Sequence, residues 1–109
     1  MNSMFDNKSI LVTGACGTVG SELVRQLLTD QRYYPKHLVG IDNNESQLFF
    51  LDQQYLNNNR ANFFVADIRN EADLIRKMEG IDIVFHCAAL KHVILCERSP
   101  GQAVQTNIL

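Results

Sequence analysis

The feature that most constrains the fold is a glycine cluster at residues 14–20, with the sequence Gly-Ala-Cys-Gly-Thr-Val-Gly. The apolar run before it, at residues 9–13, is typical of a buried strand, and apolar side chains recur at helical spacing after it. Glycine allows a tight turn and removes the Cβ where a helix or a ligand approaches the main chain closely. The cluster therefore predicts a strand, a tight turn and a helix.

The alternation of strand and helix patterns continues along the chain. Further apolar runs at residues 37–41, 62–66 and 82–86 predict three more strands, and Asn70 is expected to cap the helix before the last of them. These runs show little alternation between apolar and polar residues, which indicates a parallel sheet covered on both faces. We predict an α/β fold, a truncated Rossmann-type sheet with strand order 3-2-1-4 and helices on both faces.

The last part of the chain is expected to be helical. Residues 93–97 predict one helical turn, and Ser-Pro-Gly-Gln at residues 99–102 has the pattern of a capping box that starts a helix near Pro100. That helix would be cut off at Leu109. The edge of the fourth strand would then be unpaired, which predicts self-association through that edge or through the last helix.

Composition limits the classes of function. Twelve acidic and ten basic residues give a net charge of −2 without a basic run, which excludes nucleic-acid binding through a charged face. The cysteines at 16, 87 and 96 form no C-x-x-C pair and are expected to be reduced, and the histidines at 37, 86 and 92 lack metal-ligand spacing, so no metal site is predicted. No apolar run reaches membrane-spanning length and the first eight residues lack a signal-peptide pattern, so a cytoplasmic location is expected.

The glycine turn has the spacing of a nucleotide-binding turn. A helix that starts directly after it offers unpaired N–H groups and a partial positive charge to a pyrophosphate. Asp42 follows the second predicted strand, 22 residues after Gly20, where a dinucleotide fold places the carboxylate that binds the adenosine ribose hydroxyls. This acid favours NAD over NADP, because it would repel a 2′-phosphate and the following Asn43 and Asn44 supply no arginine.

Other interpretations of these residues stay open. The glycine cluster also fits an ordinary turn between a strand and a helix, and Asp42 could simply cap the next helix. Asp67 could bond the adenine amino group or be a solvated loop acid. Cys16, near a helix N-terminus, is either a reactive thiol or a small residue that fills the turn. The phenylalanines are expected in the core: Phe49, Phe50, Phe63, Phe64 and Phe85.

Several motifs together resemble one family. The stretches are Thr-Gly-Ala-Cys-Gly-Thr-Val-Gly at 13–20, Asp-Asn-Asn-Glu at 42–45, Ala-Asp-Ile-Arg at 66–69, Phe-His-Cys-Ala-Ala-Leu-Lys-His-Val at 85–93, Glu-Arg-Ser-Pro at 97–100 and Thr-Asn at 106–107. They are similar to those of the extended short-chain dehydrogenases/reductases, within the polysaccharide-biosynthesis branch of nucleotide-sugar 4,6-dehydratases and 4-epimerases.

The resemblance implies a role for each matched position. The pyrophosphate turn would comprise Gly14, Cys16, Gly17, Thr18, Val19 and Gly20. Asp42 and Asn43 would bind the ribose, and Asp67 and Ile68 would hold the adenine. Ala88, Ala89 and Lys91 would lie along the cofactor toward the nicotinamide, with Lys91 and His92 near the nucleotide-sugar substrate. Lys91 fits equally well as a surface cation.

The resemblance also implies a reaction. Members of this branch oxidise the sugar at C4 with bound NAD(P)⁺, which acidifies the C5 proton, and they use a tyrosine base followed four residues later by a lysine. The tyrosines at 33, 34 and 55 are followed at that distance by His37, Leu38 and Asn59. Residues 1–109 are therefore expected to form an N-terminal NAD-binding half domain without the catalytic segment, inactive alone. A non-catalytic NAD sensor is the alternative from another class of function.

Overall fold

One six-stranded sheet forms the centre of the computed structural model, which describes residues 3–87, 93–99 and 102–108, the last two ranges for the backbone alone. The strands are β1 (Ser9–Thr13), β2 (His37–Asp42), β3 (Ala61–Val65), β4 (Ile83–His86), β5 (Val93–Ser99) and β6 (Gln102–Ile108). Their spatial order is β3-β2-β1-β4-β5-β6, and the first four pair in parallel. The predicted parallel sheet of order 3-2-1-4 is confirmed.

Helices cover both faces of the parallel strands. They are α1 (Thr18–Thr29), α2 (Glu45–Gln54) and α3 (Glu71–Lys77). On one face, Val24 of α1 and Leu48 of α2 pack with Ile10 of β1 in a single buried cluster. On the other face, Leu74 of α3 packs against a cluster that includes Leu11 of β1. Neighbouring residues of β1 thus face opposite sides, and both sides are buried, as the continuous apolar run requires.

The expected helical structure after β4 is wrong. Residues 93–97 belong to β5, which pairs antiparallel with β4, and the helix expected from Pro100 is replaced by β6, which pairs antiparallel with β5. Val-Ile-Leu at residues 93–95 favours a strand, and the Pro-Gly dipeptide between the paired Ser99 and Gln102 is a turn signal as well as a helix start. Since β5 occupies the edge of β4 and residues 102–108 form β6, neither the free edge nor the last helix that was expected to mediate self-association is present. Self-association itself stays a prediction.

The phenylalanines are only partly in the core. Phe85 is buried and Phe63 packs against the core, whereas three others are 42–70% exposed: Phe49, Phe50 and Phe64. In α2, Leu48, Leu51 and Tyr55 form the stripe that faces the sheet, so the side chains between them point away from it. The core prediction is therefore wrong for Phe49 and Phe50, and it is also wrong for Phe64, which lies in β3 with 42% of its surface exposed.

The turn between β1 and α1 depends on two of its glycines. Gly14 has φ +67°, in the left-handed region that favours glycine. A Cβ at Gly20 would lie 2.0 Å from the Gly14 carbonyl oxygen, so the first turn of α1 packs directly against the main chain of the turn. A Cβ at Gly17 would meet only the same oxygen, at an ordinary 3.4 Å. Gly20 is thus required by packing, and Gly17 is not.

We expect Gly20→Ala to destabilise the fold by about 1–3 kcal/mol, because the new methyl group overlaps the Gly14 carbonyl and α1 must move away from the turn. Denaturant unfolding measures the effect. The matched control is Gly17→Ala, which we expect to cost less than about 1 kcal/mol, since it alters only the helix N-cap. Equal stability of the two variants would contradict this packing.

Candidate functional site

A cleft of ≈ 420 Å³ opens at the carboxyl ends of the parallel strands. Its walls come from the turn after β1, from the residues at and after the ends of β2 and β3, and from the residue after β4. The lining residues are Gly14, Gly17, Asp42, Asn43, Ala66, Asp67, Ile68, Arg69 and Cys87. This is the position where open α/β sheets bind ligands.

Asp42 joins two walls of the cleft. Its Oδ2 accepts a hydrogen bond from the backbone N of Cys16 at 3.0 Å, and its Oδ1 accepts one from the backbone N of Asn44 at 2.9 Å. Helix α2 is capped by Asn44, whose side chain accepts from the N of Gln47 at 3.1 Å. Asp42 is therefore not the helix cap, and each of its oxygens keeps acceptor capacity toward the cleft.

The turn itself brings bare main chain to the cleft. Gly17 is the N-cap residue of α1, no side chain caps this helix, and its first turn carries no acidic residue. The N–H groups at the start of a helix have no intrahelical partner. The geometry leaves a partly positive helix end beside an opening that no Cβ fills.

Asp67 and Arg69 form a hydrogen-bonded turn after β3 that also lines the cleft. Asp67 Oδ1 accepts from the Arg69 backbone N at 2.9 Å, and the Arg69 guanidinium binds both carboxylate oxygens, with Nη2 2.9 Å from Oδ2. These guanidinium hydrogen bonds hold the pKa of Asp67 below its usual value. Sequence reasoning missed Arg69 as a cleft residue. The available signal was the Asp-x-Arg spacing, which allows this arginine to reach back to the aspartate.

A buried threonine connects β1 and β4 beside the cleft. The Thr13 hydroxyl accepts from the backbone N of Cys87 at 3.1 Å and lies 2.7 Å from Nδ1 of His86. Burial lowers the pKa of His86, so the ring is neutral near pH 7.

The thiols of Cys16 and Cys87 both resist ionisation. Burial raises the pKa of Cys16 to about 11, with a further contribution from the Asp42 carboxylate. Burial also raises the pKa of Cys87 to about 11. The reactive-thiol interpretation of Cys16 is therefore wrong, because desolvation and a nearby negative charge outweigh the helix N-terminus.

The structure brings together some of the predicted site residues and separates others. Gly14, Gly17, Asp42, Asn43, Asp67 and Ile68 share the cleft, which also contains three residues that were not predicted: Ala66, Arg69 and Cys87. Cys16 and Thr18 line a different groove, between α1 and α2, and Val19 is half exposed. Gly20 is buried against the turn. Ala88, Ala89, Lys91 and His92 lie outside the described residues.

Two further observations concern the described part of the chain. Within it, no group of three or more His, Cys, Asp or Glu side chains is arranged to hold a metal ion. None of the helices described there has the length and apolar character needed to cross a bilayer.

Comparison with protein families identifies one match. The family model described as polysaccharide biosynthesis protein matches residues 10–109. Among solved structures, Pen from Bacillus thuringiensis superposes with a TM-score of 0.74 at 32% sequence identity, over 84% of this chain and 27% of that one.

Curated relatives include two enzymes. An uncharacterised membrane protein of Methanocaldococcus jannaschii is 42% identical over all of this chain and 32% of its own length. A UDP-glucose 4-epimerase of Rickettsia bellii is 35% identical over 97% of this chain and 31% of its own. A UDP-N-acetylglucosamine 4,6-dehydratase (inverting) of Campylobacter jejuni is 33% identical over 96% and 30%. The chain thus spans about a third of the length of these relatives.

The raised pKa values predict slow alkylation of Cys16 and Cys87. At pH 8 the thiolate fraction should be about 100-fold below that of a thiol with the ordinary pKa of 9.0, and it should increase as the pH rises toward 11. Site-resolved mass spectrometry after iodoacetamide treatment measures each rate, with the denatured protein as the matched control. Equal rates in the folded and denatured protein would contradict the predicted desolvation.

Proposed function

The chain belongs to the polysaccharide biosynthesis family within the short-chain dehydrogenases/reductases, and we propose that it is the NAD-binding portion of a nucleotide-sugar 4,6-dehydratase acting on a UDP-N-acetylhexosamine-type substrate. The observation that carries the proposal is the bare glycine turn at Gly14 and Gly17, which lines one cleft together with the adjoining Asp42 at the carboxyl ends of the strands. Diphosphate and ribose are the ligand groups that suit the glycine turn and the carboxylate, respectively.

The residues of the cleft fit a dinucleotide. The open space beside Gly17 would be filled by any larger side chain, and packing does not require glycine there, so the space suits a ligand. Main-chain N–H groups at the start of α1 would bind the diphosphate. When bound, NAD supplies the hydride acceptor for oxidation of the sugar.

Asp42 would bind the ribose. Its two oxygens are held by Cys16 N and Asn44 N, and each has a remaining lone pair for one of the two ribose hydroxyls. A 2′-phosphate would instead meet a fixed carboxylate. This arrangement favours NAD over NADP.

The reaction requires residues beyond those in the cleft. Both the 4,6-dehydratase and the 4-epimerase among the relatives carry a matching segment over about a third of their length, so the chain is also compatible with a nucleotide-sugar 4-epimerase. None of its tyrosines is followed four residues later by lysine. We therefore propose that this segment binds the cofactor and does not supply the proton-transferring base. Turnover of a nucleotide sugar by the intact protein distinguishes an enzyme from a non-catalytic NAD sensor.

Gly17→Val tests the diphosphate site. We expect the variant to fold, because a Cβ at this position meets no close neighbour, but to lose NAD affinity by at least about 100-fold, since the branched side chain enters the space for the diphosphate. Titration calorimetry measures the affinity, and the unfolding midpoint verifies the fold. NAD binding of unchanged strength in a folded Gly17→Val protein would refute this site.

Asp42→Ala tests recognition of the ribose. We expect weaker NAD binding and a smaller ratio of NAD to NADP affinity, because the variant loses the acceptor for the hydroxyls and the repulsion of a 2′-phosphate. Asp73→Ala, an acid of α3 outside the cleft, is the control and should keep the wild-type ratio. An unchanged ratio in Asp42→Ala would mean that another residue recognises the ribose.

A further inference from the structure

Arg69 is the cationic residue among those that line the cleft, and its guanidinium forms an ion pair with Asp67. Its guanidinium Nε lies 3.1 Å from Asp67 Oδ1, and its Nη2 lies 2.9 Å from Asp67 Oδ2. The Arg69 backbone N also donates to Asp67 Oδ1, and Asn70 N donates to the Asp67 carbonyl, both at 2.9 Å. The short loop after β3 is thus closed on itself by the aspartate and the arginine.

These contacts decide which acceptor positions of Asp67 remain. A carboxylate has about four lone-pair positions. Oδ1 accepts from the Arg69 backbone N and from Nε, and Oδ2 accepts from Nη2 at 2.9 Å and, more weakly, from Nε at 3.3 Å. Because the guanidinium is planar and approaches both oxygens from one side, it orients the carboxylate and leaves the acceptor position on the far side of Oδ2.

We propose that Arg69 is a positioning residue for base recognition: it orients the Asp67 carboxylate so that its remaining acceptor position selects a purine with an amino group at C6 over one with a carbonyl. This proposal rests on the proposed NAD site and adds to it the residue that sets base preference. The adenine amino group is a hydrogen-bond donor, whereas the carbonyl of hypoxanthine is an acceptor that a fixed carboxylate repels.

A direct role of Arg69 with a 2′-phosphate fits the structure less well. The guanidinium would have to leave both oxygens of Asp67 before it could bind a phosphate in the same bidentate way. Asp42, in the same cleft, would oppose that phosphate. The positioning role needs no rearrangement of either acid.

The chain contains a matched control for this turn. Asp30 and Arg32 repeat the geometry: Asp30 Oδ1 accepts from the Arg32 backbone N at 2.9 Å and from Nε at 3.1 Å, and Oδ2 accepts from Nη2 at 2.7 Å. This second turn follows α1 and does not line the cleft. Any general effect of removing such an arginine should therefore appear equally in Arg32→Gln.

The experiment compares NAD with deamino-NAD, in which hypoxanthine replaces adenine, by titration calorimetry on the intact protein. Four proteins are needed: the wild type, Arg69→Gln, Arg69→Lys and Arg32→Gln. We expect the wild type to favour NAD by about tenfold or more, and Arg69→Gln and Arg69→Lys to reduce this preference to less than about threefold. Lysine keeps the charge but cannot bind both carboxylate oxygens with a planar fork. Arg32→Gln should keep the wild-type preference.

Three results would overturn the proposal. One is an Arg69→Gln protein with the wild-type preference, including the case in which both ligands bind more weakly by the same factor. Another is a selective loss of NADP binding in Arg69→Gln with base preference retained, which would assign Arg69 to the 2′-phosphate. The third is a wild type that binds neither dinucleotide; this result would overturn the proposed function as well, whereas the first two leave it intact.

Discussion

The carboxylate of Asp42 is the contact on which the cleft depends. It binds the backbone N of Cys16 in the turn after β1 and the backbone N of Asn44 before α2, so one side chain fixes two neighbouring loops. The close approach of Gly20 to Gly14 fixes α1 against the same turn. Together these contacts position the N-terminus of α1 at the cleft, and no side chain caps it there. In the proposed function, one acid would therefore both bind the ribose and maintain the shape of the diphosphate site.

The parallel half of the fold was predictable because its signals are local. Short apolar runs, a glycine turn and helix caps such as Asn70 are properties of a few consecutive residues, and the structure places them close to the predicted positions. The segment after β4 was mispredicted because its local pattern suits two structures. A serine, a proline and a glycine near residue 100 can start a helix or connect two strands, and the pairing of β5 with β4 decides between them.

Sequence reasoning located lining residues of the cleft where residue type and position in the sheet are enough. The acid at the end of β2 and two glycines after β1 line the same cleft, and their roles with a ligand stay predictions. The properties that depend on contacts were missed. The thiol of Cys16 is governed by burial and by Asp42, 26 residues away in the chain, and the exposure of Phe49 and Phe50 follows from which stripe of α2 faces the sheet. No sequence pattern specifies such contacts in advance.

A crystal structure of the intact protein with NAD tests the central claim most directly, because it locates the diphosphate relative to the glycine turn. The account predicts phosphate oxygens about 3 Å from main-chain N atoms at the start of α1, with ribose hydroxyls at a similar distance from the Asp42 carboxylate. A diphosphate bound away from residues 14–18, or a ribose without contact to Asp42, would contradict it.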